Sequence, residues 1–466
     1  MPLPAPHMAA PPHQAQWQAP AVQSRRPTAL IPLLVVFYSF LLLPPEVEIN
    51  VFGVNLPSYR QALLLMAVPA LRMILNNRRG SVSPIDIVVM IMGFWIMLSF
   101  MTIYGFGSGI IRGAGIVTDT VVIYMIARAC IRAPDELRYF LILCLPGLMF
   151  AGGSLAVESL SGQLLLRPMF QSIFGNIESF AGGEATGALF LEHEYRIGML
   201  RAYGPFPHPI LAGAVMVGFL PLYYFSGLRS WPYFFGIAIA FTGFFSLSSA
   251  AFLGLMMSIA AIAVNHVKPY FPKISWWTLV SMLVLLAGAV HVSTKNGIVP
   301  VLARMTLTPA TAEYRTLIWE YGSASVVRNP WFGIGYQQWD RLSWMAGDSV
   351  DAHFLLLAMR HGLIVPVIFL AGIIYGMIKL GTIMPSLTPR DRTLMLGLNI
   401  TMFVYVIVGQ TVNYFGSTGL VFMTMVALLA SMVEWGKGEL KVQTQIRMMQ
   451  TRSSLFAPPP QGFHKA

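Results

Sequence analysis

Asp351 and His353 stand directly before the apolar run Phe354 to Leu357. Asp351 is placed to cap a short helix there, with His353 in its first turn. A helix N-terminus carries partial positive charge and free N–H groups, which suit a phosphate. The same field lowers the pKa of an adjacent imidazole and keeps it neutral, able to accept a proton. The competing reading is a His that only caps or packs at a membrane surface. Upstream lie Arg315 and, one turn later, Trp319. Arg is the side chain suited to bidentate contact with phosphate oxygens, although an exposed Arg can also snorkel among lipid headgroups. A second group runs from His193 to Pro209 and contains Arg196, Arg201 and His208. His193 and Glu194 lack a second His four residues on, so they make no zinc helix motif. His208 sits between two prolines, which favours a structural role for it. Asp119 lies deep in an apolar stretch with Arg112 two turns before it. An ionisable residue at such depth is a functional candidate. With no second acid at that depth, a buried polar contact to another helix is the favoured reading.

These residues need elements to hold them. Thr308-Pro309 reads as a helix start, and Tyr314, Leu317, Ile318 and Tyr321 form an amphipathic stripe. Arg315 lies near the edge of that stripe. The helix must stop before Asn329-Pro330. An aromatic, Gly-rich turn, Trp331 to Tyr336, follows.

The rest of the chain is a membrane protein by composition. Of 466 residues, 56% are apolar and 11% charged, against about 25% charged in soluble domains. That excludes an ordinary soluble enzyme, a disordered chain and a nucleic-acid binder. The net charge of +11 then reflects basic loops on one membrane side. Twelve apolar segments of spanning length are expected as transmembrane helices: 28–44, 60–77, 84–104, 110–130, 138–157, 208–227, 232–248, 250–266, 276–293, 363–381, 393–412 and 416–434. The fold class is thus an all-α polytopic membrane protein with two long outer loops, the second carrying amphipathic helices. The organisation reads as a disordered tail at 1–27, helices 1–5 over 28–157, a loop at 158–207, helices 6–9 over 208–293, a large loop at 294–362, helices 10–12 over 363–435 and a flexible tail at 436–466. No cleavable signal peptide is expected, because a long polar tail precedes the first apolar run. Alternation over 45–59 suggests a small hairpin. Placing the N-terminus inside makes every inside loop basic and puts most acids in the outer loops, so both termini are expected in the cytoplasm. Cys130 and Cys144 fall in or beside apolar segments and read as packing residues.

Several pieces, in order, resemble the O-antigen ligase/polymerase superfamily of bacterial envelope glycosyltransferases. They are Arg201-x-x-Gly204-x-Phe206-x-His208-Pro209, Ser246-x-Ser248, Arg315-x-x-x-Trp319, Asn329-Pro330-x-x-Gly333-x-Gly335, and Asp351-x-His353 followed by Gly362-Leu363-Ile364. The resemblance covers roughly 195–375. It implies a metal-independent, cofactor-free GT-C enzyme of the inner membrane that takes glycans from undecaprenyl pyrophosphate on the periplasmic face. By position, His353 would act on the acceptor hydroxyl, and Arg315 and Arg201 would hold the pyrophosphate. His353 and Arg315 are therefore the expected catalytic pair. Arg196, Arg201, His208, Trp319, Asp351 and Arg360 are the expected substrate-binding set. Three positions depart from the family pattern: Ser249, where members often carry Arg; Phe354, often Asn; and Arg360, often an acid. Arg360 or Arg112 could supply the charge absent at Ser249. The leading expectation is a polymerase of an exopolysaccharide, capsule or O-antigen. A ligase to lipid A-core is the alternative, and a flippase of lipid-linked oligosaccharide or a structural subunit the readings of another class. The expected partners are a lipid-linked oligosaccharide, the bilayer, and a chain-length regulator or export complex.

Overall fold

The computed structural model describes residues 27–51, 54–76, 81–175, 195–271, 275–294, 309–345 and 349–455. The start of the N-terminal tail, residues 176–194 with His193 and Glu194, and the Thr308 cap lie outside the described residues. The described residues are all-α apart from two small hairpins. It runs α1 (Ile31–Leu41), β1 (Glu48–Val51), β2 (Val54–Pro57), α2 (Ser58–Asn76), α3 (Pro84–Tyr104), α4 (Phe106–Val117), α5 (Ile123–Cys130), α6 (Pro134–Ser161) and α7 (Leu166–Phe174). There follow β3 (Tyr195–Arg196), β4 (Met199–Leu200), α8 (Pro209–Gly218), α9 (Leu220–Phe225), α10 (Trp231–Phe241), α11 (Ser249–Val267) and α12 (Trp276–Ser293). The last elements are α13 (Pro309–Arg328), α14 (His353–His361), α15 (Ile364–Ile383), α16 (Pro389–Val408) and α17 (Gly416–Leu455).

Each of the twelve apolar segments is mainly helical. Among the described residues, seven helices are long and apolar enough to cross a membrane: 84–104, 106–130, 134–161, 249–270, 364–386, 389–408 and 416–446. Three further apolar helices, at 28–41, 209–225 and 231–246, are shorter, and the apolar stretch 281–293 lies within α12. Local chemistry sets the boundaries. Ser83 and Asp86 form a capping box around Pro84 at the start of α3. Gly162 in the left-handed region closes α6. The segment expected at 208–227 is broken at Phe219, before Pro221, into α8 and α9. Pro cannot continue the helical hydrogen bonding there. The expected hairpin is present, with Glu48 opposite Pro57 and Val51 opposite Val54. Both cysteines are free and buried.

The core is organised around α17. In its apolar window 89% of residues are buried, against 22–56% for the other six spans, which makes it the central helix. It packs against α5, α8, α15 and α16. One expectation is corrected here. The polar stretch from 436 is not a flexible tail at its start, because α17 continues unbroken to Leu455. Good helix formers such as Glu439, Leu440, Lys441 and Gln443 extend it past its apolar part.

Candidate active site

His353 is the first residue of α14. Ala352 takes extended backbone at the cap position, and no side chain caps the helix. Asp351 therefore does not cap α14, contrary to expectation; it lies one residue too early. The His353 N–H, which a cap would have satisfied, donates instead to Gly409 O at 2.8 Å and Val412 O at 3.2 Å. These carbonyls belong to the turn between α16 and α17. The same turn holds the imidazole: Nδ1 lies 3.3 Å from Asn413 Oδ1 and 3.3 Å from the Tyr414 N–H. The ring packs on Tyr414 at 5.1 Å and Phe422 at 5.6 Å. A proton on Nδ1 donates to Asn413 and leaves Nε2 an open acceptor; Tyr414 N–H favours the reverse tautomer. Burial pushes the His353 pKa down to about 4, opposed by the Asn413 contact and reinforced by the Arg360 charge. The ring is neutral at physiological pH.

Two residues before His353, Asp351 joins a cationic group. Arg201 and Arg315 are buried, at 4% and 5% exposure. Burial lowers the pKa of the Arg315 guanidinium, and the Asp351 charge opposes this. Arg201 is likewise lowered, mainly by burial and also by Arg315. Burial raises the Asp351 carboxyl, with Arg315 and Arg201 pulling it back. Arg196 acts on Arg315 from the side and donates to Leu247 O at 3.4 Å. Among the described residues, three arginines and one carboxylate act on one another in this group. Among the described residues Arg315 Nε and Ser248 Oγ are buried with no hydrogen-bond partner. A buried unsatisfied donor costs about 1–3 kcal/mol, which an anionic ligand would recover.

Glu158 and Arg167 hold the segment carrying Arg201. The Glu158 carboxylate accepts from the backbone N–H of Tyr203 at 3.0 Å, Gly204 at 2.8 Å, Leu165 at 3.1 Å and Leu166 at 3.2 Å. Arg167 is paired with buried Glu46 at 2.6 Å and donates to Pro207 O at 2.9 Å. His208 accepts the Ile210 N–H on Nδ1 at 3.1 Å and so caps α8. Trp319, one turn after Arg315 on α13, donates from Nε1 to Gln410 O at 3.1 Å. The 409–415 turn thus anchors both α13 and His353.

The C-terminal end of α14 is latched by the aromatic turn. Ile334 N–H donates to Met359 O at 2.7 Å, Gly335 N–H to Arg360 O at 3.1 Å and Leu363 N–H to Pro330 O at 2.8 Å. Gly362 has φ +85°, and a Cβ there would lie 1.9 Å from Trp331 O. Only glycine fits this approach. The turn presents Tyr336, whose ring lies beneath the Arg360 guanidinium at 4.9 Å and the Arg112 guanidinium at 5.9 Å. Arg112 also covers Tyr104 at 4.6 Å. Below them Asp119 is paired with Arg60 through both carboxylate oxygens. Asp119 is thus the buried polar contact between helices that was favoured for it. His353, Arg360, Asp119, His361 and Asn413 share the lining of one cavity of ≈ 80 Å³.

The expected residues therefore fall into two groups. Arg196, Arg201, Arg315 and Asp351 form one, with His208 beside it. Arg360 belongs to the other, with Arg112 and Tyr336. His353 lies between them along the chain, and its ring faces the second. Sequence reasoning missed Asn413, Glu158 and Arg167. The one local signal for Asn413 was the run Gln410-Thr411-Val412-Asn413, with three polar residues, between two apolar segments.

These features define a polytopic α-helical membrane protein with a charged site built from the loops on one side of its helices. Residues 234–370 match the family model described as O-antigen ligase. The chain therefore carries an O-antigen ligase-like domain, in keeping with the O-antigen ligase/polymerase superfamily. That match supports a membrane enzyme of the ligase or polymerase type. It spans under a third of the chain. Arg315, Trp319, Asp351, His353 and Arg360 lie inside it; Arg196, Arg201, His208 and Asn413 lie outside. No curated protein matches the chain.

Proposed function

We propose that this protein is a polymerase of a bacterial surface polysaccharide. It transfers a glycan from undecaprenyl pyrophosphate to a lipid-linked repeat unit on the periplasmic face of the inner membrane, with both termini cytoplasmic. The observation that carries the reading is the group of Arg201, Arg315 and Asp351, in which both arginines are buried and, among the described residues, Arg315 Nε has no hydrogen-bond partner, two residues from a neutral imidazole.

The acceptor hydroxyl oxygen attacks the anomeric carbon of the donor glycan. The bond from that carbon to the phosphate oxygen breaks, and its electron pair leaves with the pyrophosphate. The hydroxyl proton passes to His353. The leaving group already carries negative charge, so guanidiniums that neutralise it do most of the catalytic work. The base needs only to be neutral and within reach of the hydroxyl, and burial keeps His353 neutral down to about pH 4. Arg201 and Arg315 supply the positive charge that a metal supplies in other transferases. We prefer polymerase to ligase on a resemblance read from the sequence alone, that of the segment Gly204 to Pro209 to exopolysaccharide members of the superfamily.

The test is a reconstituted assay with the native undecaprenyl-pyrophosphate repeat unit as sole glycan substrate. Wild type should make a ladder of longer lipid-linked glycans, and His353→Ala should make none. A wild type that extends nothing, yet transfers the glycan to added lipid A-core, is a ligase. Silence with both acceptors overturns the enzyme reading and favours a transporter.

A further inference from the structure

We propose that α7 is an interfacial helix, which lies in the bilayer surface on the side of the charged site and holds that site at the level of the lipid headgroups. The proposal concerns the membrane and stands apart from the transferase reading. Its basis is a helix turned inside out. Arg167 is the one charged residue in α7, and it faces inward. It is 2% exposed and paired with buried Glu46. Gln171, one turn on, donates to the same Glu46 oxygen at 3.0 Å. The opposite face carries Leu165, Met169 and Ile173, spaced four residues apart and so on one side of the helix. All three are exposed, Ile173 at 69%, and exposed Phe174 follows them. Exposed apolar surface of this kind marks a contact with membrane or protein. Polar groups drawn inward and an uncharged outward face suit a helix whose surroundings are apolar.

Depth singles out the bilayer. The 28 residues of α6 make a helix of roughly 42 Å. That is close to the ~40–45 Å of a hydrocarbon core with both headgroup layers, so the last turn of α6 stands among headgroups. Glu158 lies in that turn and accepts the N–H groups of Leu165 and Leu166 at 3.1 and 3.2 Å. The start of α7 is therefore fixed at headgroup depth. Val157 and Leu160 on α6 are exposed too, so along the chain the exposed apolar residues run from the span directly onto α7. The inner side of α7 is fastened to the segment that carries Arg201. The same Glu158 carboxylate holds the N–H groups of Tyr203 and Gly204. Arg167 donates to Pro207 O and lies over the Tyr203 ring at 5.5 Å. Leu164, just before α7, packs with Leu200 and Tyr203. A helix resting in the membrane surface thus sets the height of Arg201.

The experiment uses the full chain in phosphatidylcholine nanodiscs, with Met169→Cys or Ile173→Cys carrying a nitroxide. The native cysteines are buried and add little background. Power saturation compares relaxation by oxygen, which partitions into lipid, with relaxation by a water-soluble nickel chelate. Phe94→Cys, exposed in the middle of α3, gives the lipid reference, and exposed Ser386→Cys the water reference. Both α7 labels should fall between the references, with oxygen the stronger relaxant. Nickel as effective at either position as at residue 386 puts the helix in water and overturns the proposal. Protection from both reagents means that protein covers the face, either residues 176–194 or a second copy of the chain, and overturns it as well. The variants replace exposed side chains and should keep the wild-type Tm; Leu165→Cys, on the same face, replaces one that does not. No substrate is present, so the result is independent of the transfer assay.

Discussion

The imidazole of His353 packs against Tyr414, Phe422 and Phe354, and its charged form is penalised accordingly. An exposed histidine would lose its base form as pH falls through about 6.5. Here the neutral form persists down to about 4. The rate of transfer should therefore stay flat from mildly alkaline pH to well below 6, and fall only as pH approaches 4. A kcat/KM profile with an acid limb near 6.5 would mean that the ring is not held in this setting. Asn413 has a separate role. Its carboxamide raises the His353 pKa and, when it accepts from Nδ1, leaves Nε2 as the base. Asn413→Ala should lower kcat by roughly tenfold, short of the roughly 10²–10⁴-fold of a whole acid–base contribution because the base itself remains, with little change in KM. It should also move the acid limb to lower pH, because a contact that favours the charged ring is gone. A change in KM alone would assign Asn413 to binding instead.

At the scale of elements, the aromatic turn and α14 behave as one piece, joined by three backbone hydrogen bonds and by the approach of Gly362 to Trp331. Gly362→Ala adds a methyl group where φ is positive and the Trp331 carbonyl stands 1.9 Å away. It should destabilise the protein by about 1–3 kcal/mol, read as a lower Tm in detergent. A Tm equal to wild type would show that the latch contributes nothing. Much of this level was readable in the sequence. Hydrophobic spacing predicted α13, its stop at Asn329-Pro330, and a helix starting near His353, because those signals are local. The cap of α14 was misjudged for a related reason. Asp351 has the right chemistry for a cap, but the His353 N–H it would have satisfied already donates to the carbonyls of Gly409 and Val412. Nothing local announces a partner some sixty residues away. Glu158 was equally hidden. It reads as an outer-loop acid, yet its carboxylate is fully buried and collects backbone N–H groups from two segments.

For the whole molecule, composition was enough to give the all-α membrane class, and the distribution of Lys and Arg gave an orientation. That orientation can be checked with single cysteines. Cys130 and Cys144 are both fully buried, so they add little background to labelling. Tyr195→Cys should react with an impermeant maleimide in intact spheroplasts, and Ser386→Cys only after lysis. The opposite pattern would turn the molecule over and put the charged site on the wrong side for periplasmic chemistry. The site itself draws on distant stretches of chain. The stretch matched as O-antigen ligase, 234–370, contributes Arg315 and His353, whereas Arg201 precedes it and the turn that grips His353 follows it. Function is therefore less portable than family resemblance suggests. A graft of that stretch into another scaffold would arrive with its histidine, but without the Gly409 and Val412 carbonyls that receive its N–H. Only exchanges that carry the α16–α17 turn along should yield working chimeras.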